Sequence, residues 1–401
     1  MEVSGARLKR RLGAGLLTLY GVGVMIGAGI YVLVGAVAGA AGTWAPMAFL
    51  AAGVVVLPTV LSYAELATRI PESAGEAAYL DAAFGARAWG RAMSLAAGIA
   101  VATVGIISAA VVLQGGAGYL RALIDLPSAA MIVLMGVALG AAAVIGVLES
   151  LSLAAVATVI EVGGLAIVAV VGLSAEMPAT MPDDASLPPS IGSFGAAMLL
   201  AFFAFVGFED MVNMAEETRD PGHAMPRAIL AALVIAATIY ALVSWAAVSA
   251  VPPGDLASSD RPLALVYERA TGQGAGFLAV IAVVAALNGV LAQIVMAARV
   301  LFGLGRRHAP FRVFHAAHPR FGTPVAATML STALVLLLAV TLPLVALAEA
   351  VSLLLLVIFV AVNAALIALK RAGGGAAFTV PLAVPVAGAV LSIGTLVWSL
   401  M

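Results

Sequence analysis

The chain alternates long apolar runs with short polar connections, and the runs have the length of membrane-crossing helices. A crossing takes about 20 mostly apolar residues. By that measure eleven spans are predicted, at 14–40, 44–69, 92–115, 129–149, 151–173, 192–215, 227–250, 275–303, 323–343, 346–370 and 379–400. None shows the alternation of a membrane barrel strand, so all are read as helix. Two spans are interrupted where a membrane helix should be continuous. The first carries Gly21-Val-Gly-Val-Met-Ile-Gly-Ala-Gly-Ile-Tyr31 and the other Phe202-Phe-Ala-Phe-Val-Gly-Phe-Glu-Asp210. Non-helical backbone is tolerated at membrane depth only against protein or a water-filled cavity. Paired interruptions in matching positions of two halves point to a transporter's binding site.

Composition agrees with the pattern. The chain is 64% hydrophobic and 10% charged, whereas a soluble domain carries about a quarter charged residues. Its cations sort by connection. With the N-terminus in the cytoplasm, Arg121, Arg261 and Arg269 are the only outer ones of the 19 Lys and Arg residues. Positive charge collects on the inner side of membrane proteins, so the chain is read as a multi-pass protein of the cell membrane with a cytoplasmic N-terminus. The acidic, proline-rich 174–190 connection falls outside, and an odd span count puts the C-terminus there too. No basic patch is left for nucleic acid. The run 14–40 is too long for a signal-peptide core and is read as a retained first span.

With no cysteine, disulfides, thiolate metal sites and iron–sulfur clusters are excluded. His223, His308, His315 and His318 all lie in polar connections, which argues against intramembrane haem. No Gly-Lys-Ser/Thr phosphate loop is present, so ATP is disfavoured as the energy source. No cofactor is expected, and an ion or substrate gradient is left to drive the protein.

Chemistry concentrates at the interruptions and at one further acid. Gly27-Ala28-Gly29 lets backbone N–H groups turn toward an anion at the start of a half-helix. Close helix packing through small residues is the alternative for one such pair, and the matching second break favours the site. Phe202, Phe203, Phe205 and Phe208 cluster about Gly207 and either wall a small apolar pocket or simply pack. A carboxylate near mid-membrane costs about 2.5–3.5 kcal/mol. Glu209 is therefore expected to face inward, pairing with freed backbone or holding a proton, with Asp210 close by. Glu161, in span five, is a functional candidate on the same ground; its alternative is a protonated hydrogen bond to a neighbouring helix. Asn288 contacts substrate or packs helices, and Gln293 is read as packing.

Past the second break comes Ala215-Glu-Glu-Thr-Arg-Asp-Pro-Gly-His-Ala-Met-Pro-Arg-Ala-Ile229. Together with Met25-Ile-Gly-Ala-Gly-Ile30, Ser62-Tyr-Ala-Glu-Leu66 and Pro71, Ala298-Arg-x-Leu-Phe302 and Thr323-Pro324, it resembles the amino acid–polyamine–organocation transporter superfamily, over nearly the whole chain. The resemblance implies an all-α, LeuT-like five-plus-five inverted repeat in a single transmembrane domain, with helices 1 and 6 unwound mid-membrane. Repeat one would run over 14–173 and repeat two over 192–370, followed by an extra helix at 379–400. The substrate carboxylate would meet Ile26, Gly27, Ala28 and Gly29. Its ammonium would meet carbonyls around Phe203, Ala204 and Phe205 beside Gly207, with Phe203 as a gate. Glu209 matches an acid that some relatives use in proton-linked transport.

Three departures stand beside this resemblance. Relatives commonly have twelve spans. Glu161 occupies a place where sodium-independent relatives often carry lysine. Span eight reads Ala285-Ala-Leu-Asn-Gly-Val-Leu-Ala-Gln293, without the hydroxyls found beside that place in sodium-coupled relatives. The implied function is a secondary active amino acid transporter, with a neutral substrate and proton symport or exchange favoured. Glu161 and Glu209 are the ion-coupling candidates. A polyamine or organic-cation carrier and a sodium-coupled symporter are the alternatives. A channel would show a polar stripe and an enzyme a cluster of His or acids at an interface, so no catalytic residue is assigned. The expected partners are the amino acid and the bilayer, with the protein monomeric or homodimeric.

Overall fold

In hydrocarbon, water cannot satisfy backbone N–H and C=O groups, so each apolar run must close its own hydrogen bonds as a helix. The computed structural model describes residues 12–72, 75–146, 151–175, 187–307 and 309–399. The basic residues at 7–11, the end of span four at 147–149, most of the 174–190 connection, His308 and the end of the final helix lie outside them. Among the described residues the regular structure is all helical, apart from one isolated parallel bridge, Leu12 to Thr218.

The described residues form fifteen α-helices, in this order. The first span is divided into α1 (Ala14–Ala28) and α2 (Ile30–Ala41), and span two is α3 (Ala45–Arg69). A connecting helix α4 (Gly75–Phe84) leads to α5 (Ala88–Leu120), α6 (Ser128–Ile145) and α7 (Leu151–Leu173). The second half opens with α8 (Ile191–Phe203), a 3-10 segment Glu209–Glu217 and α9 (Pro221–Ala250). Next come the short α10 (Pro253–Ser258) and α11 (Pro262–Thr271), then α12 (Gly276–Arg307). The last three are α13 (Val325–Thr341), α14 (Leu344–Ala372) and α15 (Ala383–Ser399).

Every predicted span contains a described helix. Among the described residues seven stretches are long and apolar enough to cross a membrane by themselves, one of them the continuous run Ile30–Arg69. Ala14–Gly27, Ile191–Phe203, Val325–Thr341 and Ala383–Ser399 are apolar but shorter. Spans one and six fall short because each is broken, which divides their length between two pieces.

One boundary, 92–115 for span three, is corrected. Span three extends over Ala88–Leu120, and the Gln114-Gly-Gly run remains helical. Gln114 Nε2 donates to the carbonyls of Ala339 (2.6 Å) and Leu342 (2.8 Å), and the two glycines admit close neighbours. A Cβ on Gly115 would strike Val32, and one on Gly116 would lie 2.6 Å from Ala286 Cβ. The connections carrying α4, α10 and α11 are helical too. Their apolar periodicity is too short to stand out beside the spans.

The helices pack as α3 along α9, α5 along α12 and α14 along α15, with α1 against α7 and α9 and α2 against α8. Buried polar residues join them, as hydrogen bonds across membrane helices do. Ser62 Oγ donates to Asn363 Oδ1 (2.7 Å), and Asn363 Nδ2 donates to Thr59 Oγ1 (2.9 Å), tying α3 to α14. One turn further, Glu65 is fully buried between Arg69 and Lys370, both at 2.7 Å, and accepts the Val380 N–H at 2.7 Å. Removing one member of a buried, hydrogen-bonded charge cluster costs about 3–5 kcal/mol. Glu65→Ala should therefore lower the thermal midpoint in detergent far more than the exposed control Asp255→Ala; equal midpoints for the two variants would refute the clamp.

Candidate substrate site at two helix breaks

Glycine decides where the breaks fall. The first is narrow: Ile26 and Gly27 remain in α1, whose backbone ends at Ala28, and the interruption is confined to Gly29 (φ −110°, ψ −64°). The expectation of an unwound stretch from Ile26 to Gly29 is corrected accordingly. Gly29 keeps right-handed dihedrals, so the turn opens over one residue only.

The second break is longer. After Phe203 the chain tightens to i→i+3 bonds, Ala204 N–H to Ala201 O (3.1 Å), Phe205 N–H to Phe202 O (3.0 Å) and Val206 N–H to Phe203 O (3.0 Å). Gly207 then turns at φ +120°, a conformation open to glycine and costly for other residues. Glu209 Oε2 accepts the Gly207 N–H at 2.9 Å, so the acid pairs with backbone that the break releases.

The two breaks lie against one another. A Cβ on Gly29 would collide with Cα and Cβ of Ala204. One on Gly207 would lie 2.6 Å from Val24 Cγ1 and 3.2 Å from the Met25 nitrogen, and one on Gly21 would strike Met211 Sδ. Rising residue numbers in α1 thus meet falling numbers in span six, so the two run antiparallel. At the far end the Leu12 N–H donates to Glu217 O (3.0 Å) and the Arg219 N–H to Leu12 O (2.8 Å), which places the start of span one beside the end of span six.

Around this contact the walls are aromatic. Phe203 is fully buried, and the Phe205 ring meets Tyr240 edge-on at 5.2 Å. Phe208 packs on Tyr63 and Phe359, both at 5.4 Å between centroids. The crevice between Phe202, Phe205, Phe208 and Phe359 has no room for a water molecule. The carbonyl of Ala204 accepts the Tyr240 hydroxyl at 2.7 Å. Tyr240 was not singled out from the sequence, although its position as the lone tyrosine of an apolar span was a signal.

Glu161 is buried on α7 and faces the first break. Its Oε2 lies 3.9 Å from where a Gly27 Cβ would stand, and the Ala285 carbonyl of α12 lies 3.4 Å from the same point. Tyr31 donates to the Glu161 carbonyl at 3.0 Å, and Tyr119 donates to the Tyr31 carbonyl at 3.0 Å. Hence Gly27, Glu161 and Ala285 share one corner, while Gly29, Ala204 and Tyr240 share another. Asn288 is half-buried on α12, next to Gly289, which approaches the Gly27 carbonyl. Gln293 Nε2 donates to Asp210 Oδ2 at 3.0 Å, joining α12 to the segment beyond the second break.

A multi-pass helical membrane protein with two broken helices in contact, one aromatic-walled and both flanked by buried acids, is built as a transporter rather than an enzyme. A family profile described as amino acid permease matches residues 16–400. The chain belongs to this family, within the amino acid–polyamine–organocation superfamily. It is 28% identical to the branched-chain amino acid permease BcaP of Bacillus subtilis, over 91% of this chain and 82% of that one. It is 33% identical to the uncharacterized transporter Rv1999c of Mycobacterium tuberculosis, over 83% and 74%. To mouse cationic amino acid transporter 4 it is 30% identical, over 92% of this chain and 61% of the mouse protein.

The contact between the breaks makes a mutational prediction. Gly29→Ala should cost about 1–3 kcal/mol through overpacking. Adding Ala204→Gly should recover part of it, because residues in contact couple by about 0.5 kcal/mol or more. Additive losses in thermal midpoint would mean that the two residues do not touch.

A second prediction concerns Glu76 on α4, outside the spans. Burial pushes its carboxyl from 4.5 up to about 7, against the hydrogen bond from Tyr63 (3.0 Å) that pulls it down, with Asp210 pushing it further up. A raised folded-state pKa means the folded protein holds the proton more tightly. Its contribution is complete below pH 4.5 and is lost as pH rises through about 7. Glu76→Gln should flatten the fall in thermal midpoint between these limits; an unchanged slope would assign the pH dependence to other groups.

Proposed function

We propose that the protein is a secondary active amino acid transporter working by alternating access, with substrate held where the two breaks meet. The observation that carries this is the antiparallel contact of Gly29 with Ala204, which brings the start of one half-helix onto the interrupted backbone of another. A half-helix beginning at Ile30 offers its N-terminal N–H groups and positive dipole end to a carboxylate, with Gly29 as the break and Ile26, Gly27 and Ala28 as the last turn of α1 before it. The tightened turn of Phe203, Ala204 and Phe205, closed by Gly207, supplies carbonyls for the ammonium, and Phe203 covers the site. Because Gly29 packs on Ala204, and Gly207 on Val24, with no space for a Cβ, substrate entry requires α1–α2 and span six to move apart. The pseudo-equivalent halves 14–173 and 192–370 are the units that move.

An apolar wall favours a neutral amino acid, in keeping with the name of the Bacillus relative. A cationic amino acid is the second reading, supported by the name of the mouse relative and by Glu161 beside Gly27. Coupling is assigned to protons or to exchange. Glu161 sits where α1, α7 and α12 converge, and span eight there reads Ala285-Ala-Leu-Asn-Gly-Val-Leu-Ala-Gln293, without hydroxyls for sodium. Glu209 is engaged with Gly207 and serves the second break. Asn288 is placed beside the substrate or between helices, and no cofactor is needed.

Uptake of a labelled amino acid panel into proteoliposomes, with proton and sodium gradients imposed separately, tests the assignment. Accumulation of neutral branched substrates under an inward proton gradient is expected, and Glu161→Gln should abolish accumulation while leaving counterflow exchange. Sodium-driven uptake, or proton-driven accumulation undiminished in the variant, would overturn the coupling assignment. Uptake of polyamines alone would overturn the substrate class.

A further inference from the structure

Away from the helix breaks, α6, α12 and the start of α13 enclose a cavity of about 270 Å³. At about 30 Å³ for each water, that is room for roughly nine. Val295, Arg299 and Phe302 of α12 form one wall, and Phe321, Thr323 and Thr328 form the facing one. Among the described residues no acidic side chain lines it. Among the described residues Arg299 makes neither an ion pair nor a side-chain hydrogen bond, although it belongs to a membrane-spanning helix. Arg299 lies about two turns before the end of α12 and is exposed, and its unpaired guanidinium is a bidentate donor set matched to a phosphate.

Two further features narrow the ligand. The N-terminus of α13, a helix of 17 residues, begins at Val325 in the same wall and adds a positive dipole end. Thr323 and Thr328 spend their hydroxyl hydrogens on the carbonyls of Val144 (2.6 Å) and Pro324 (3.1 Å), so the cavity's remaining donor strength lies in Arg299 and the helix end. Ile145 on α6 and Met329 on α13 flank the cavity and are 56% and 62% exposed, as large apolar residues facing lipid would be. The cavity therefore joins an anion-seeking floor to a bilayer-facing surface.

We propose that this cavity is a binding site for an anionic phospholipid, its phosphate on Arg299 and the α13 N-terminus and its acyl chains against Ile145 and Met329. Basic pockets between transmembrane helices take such head groups. The site is separate from the helix breaks, and lipid retention can be read without any transport assay.

Native mass spectrometry of the detergent-purified protein with added phosphatidylglycerol, and with phosphatidylcholine for comparison, tests the site. Wild type should retain phosphatidylglycerol selectively, and its thermal midpoint should rise with that lipid. Loss of a charge-assisted contact should weaken retention roughly tenfold in Arg299→Gln, while Arg299→Lys keeps part of it and Arg87→Gln keeps all. Ala298→Leu, which fills the cavity and leaves the charge, should weaken retention as well, and it serves if Arg299→Gln does not fold. Equal retention by wild type and both cavity variants would overturn the proposal. So would a stabilisation by inorganic phosphate alone that matches the lipid's and is lost in Arg299→Gln, since that outcome assigns the cavity to a free anion.

Discussion

The structure depends on the approach of two main chains where ordinary side chains would keep them apart. Helix α1 and span six lie so close that Gly21, Gly29 and Gly207 have no space for a Cβ. Small residues allow membrane helices to approach in this way, and the gain is dispersion, since lipid tails are as apolar as the side chains they replace. The contact has a further consequence. The segment between Phe203 and Glu209 forgoes regular helix, and its polar groups are met inside the protein, by i→i+3 turns, by Glu209 on the Gly207 N–H and by Tyr240 on the Ala204 carbonyl.

The acids around this contact divide by what they touch. Glu209 is tied to backbone, Asp210 to Gln293, and Glu65 to two cations and an N–H. Glu161 lies beside Gly27, on a helix with no basic residue. A carboxylate used as a cap or a clamp is held in one state by its partners. One placed where three helices converge at a break has its charge weighed against the position of those helices. The proposed coupling role of Glu161 rests on its place beside Gly27 and Ala285, whereas Glu209 caps the Gly207 N–H at the second break.

Much of this was legible in the chain. Span positions follow from length and hydropathy, because a bilayer imposes a length and leaves the backbone no solvent. The two breaks follow from glycine at mid-span, and Gln293 as a link between helices follows from an amide in an apolar run. Other features were not legible. The first break is confined to Gly29, whose close neighbour Ala204 lies some 175 residues away in the chain. Gln114 keeps span three helical through two glycines by binding the end of α13. Tyr240, Tyr31 and Tyr119 each satisfy a carbonyl on a distant segment, and no local pattern marks such a partner.

By itself, then, the sequence determined that this is a multi-pass helical membrane protein of the permease class, with breaks in spans one and six and acids beside them. Those properties are set locally, by transfer of residues into hydrocarbon and by the conformational freedom of glycine. Tertiary structure alone decided which break meets which residue, which acid is capped and which shares a corner with Gly27, and where a cavity forms around Arg299. Such outcomes depend on contacts between residues tens to hundreds of positions apart, whose distances only the packing of the whole bundle sets.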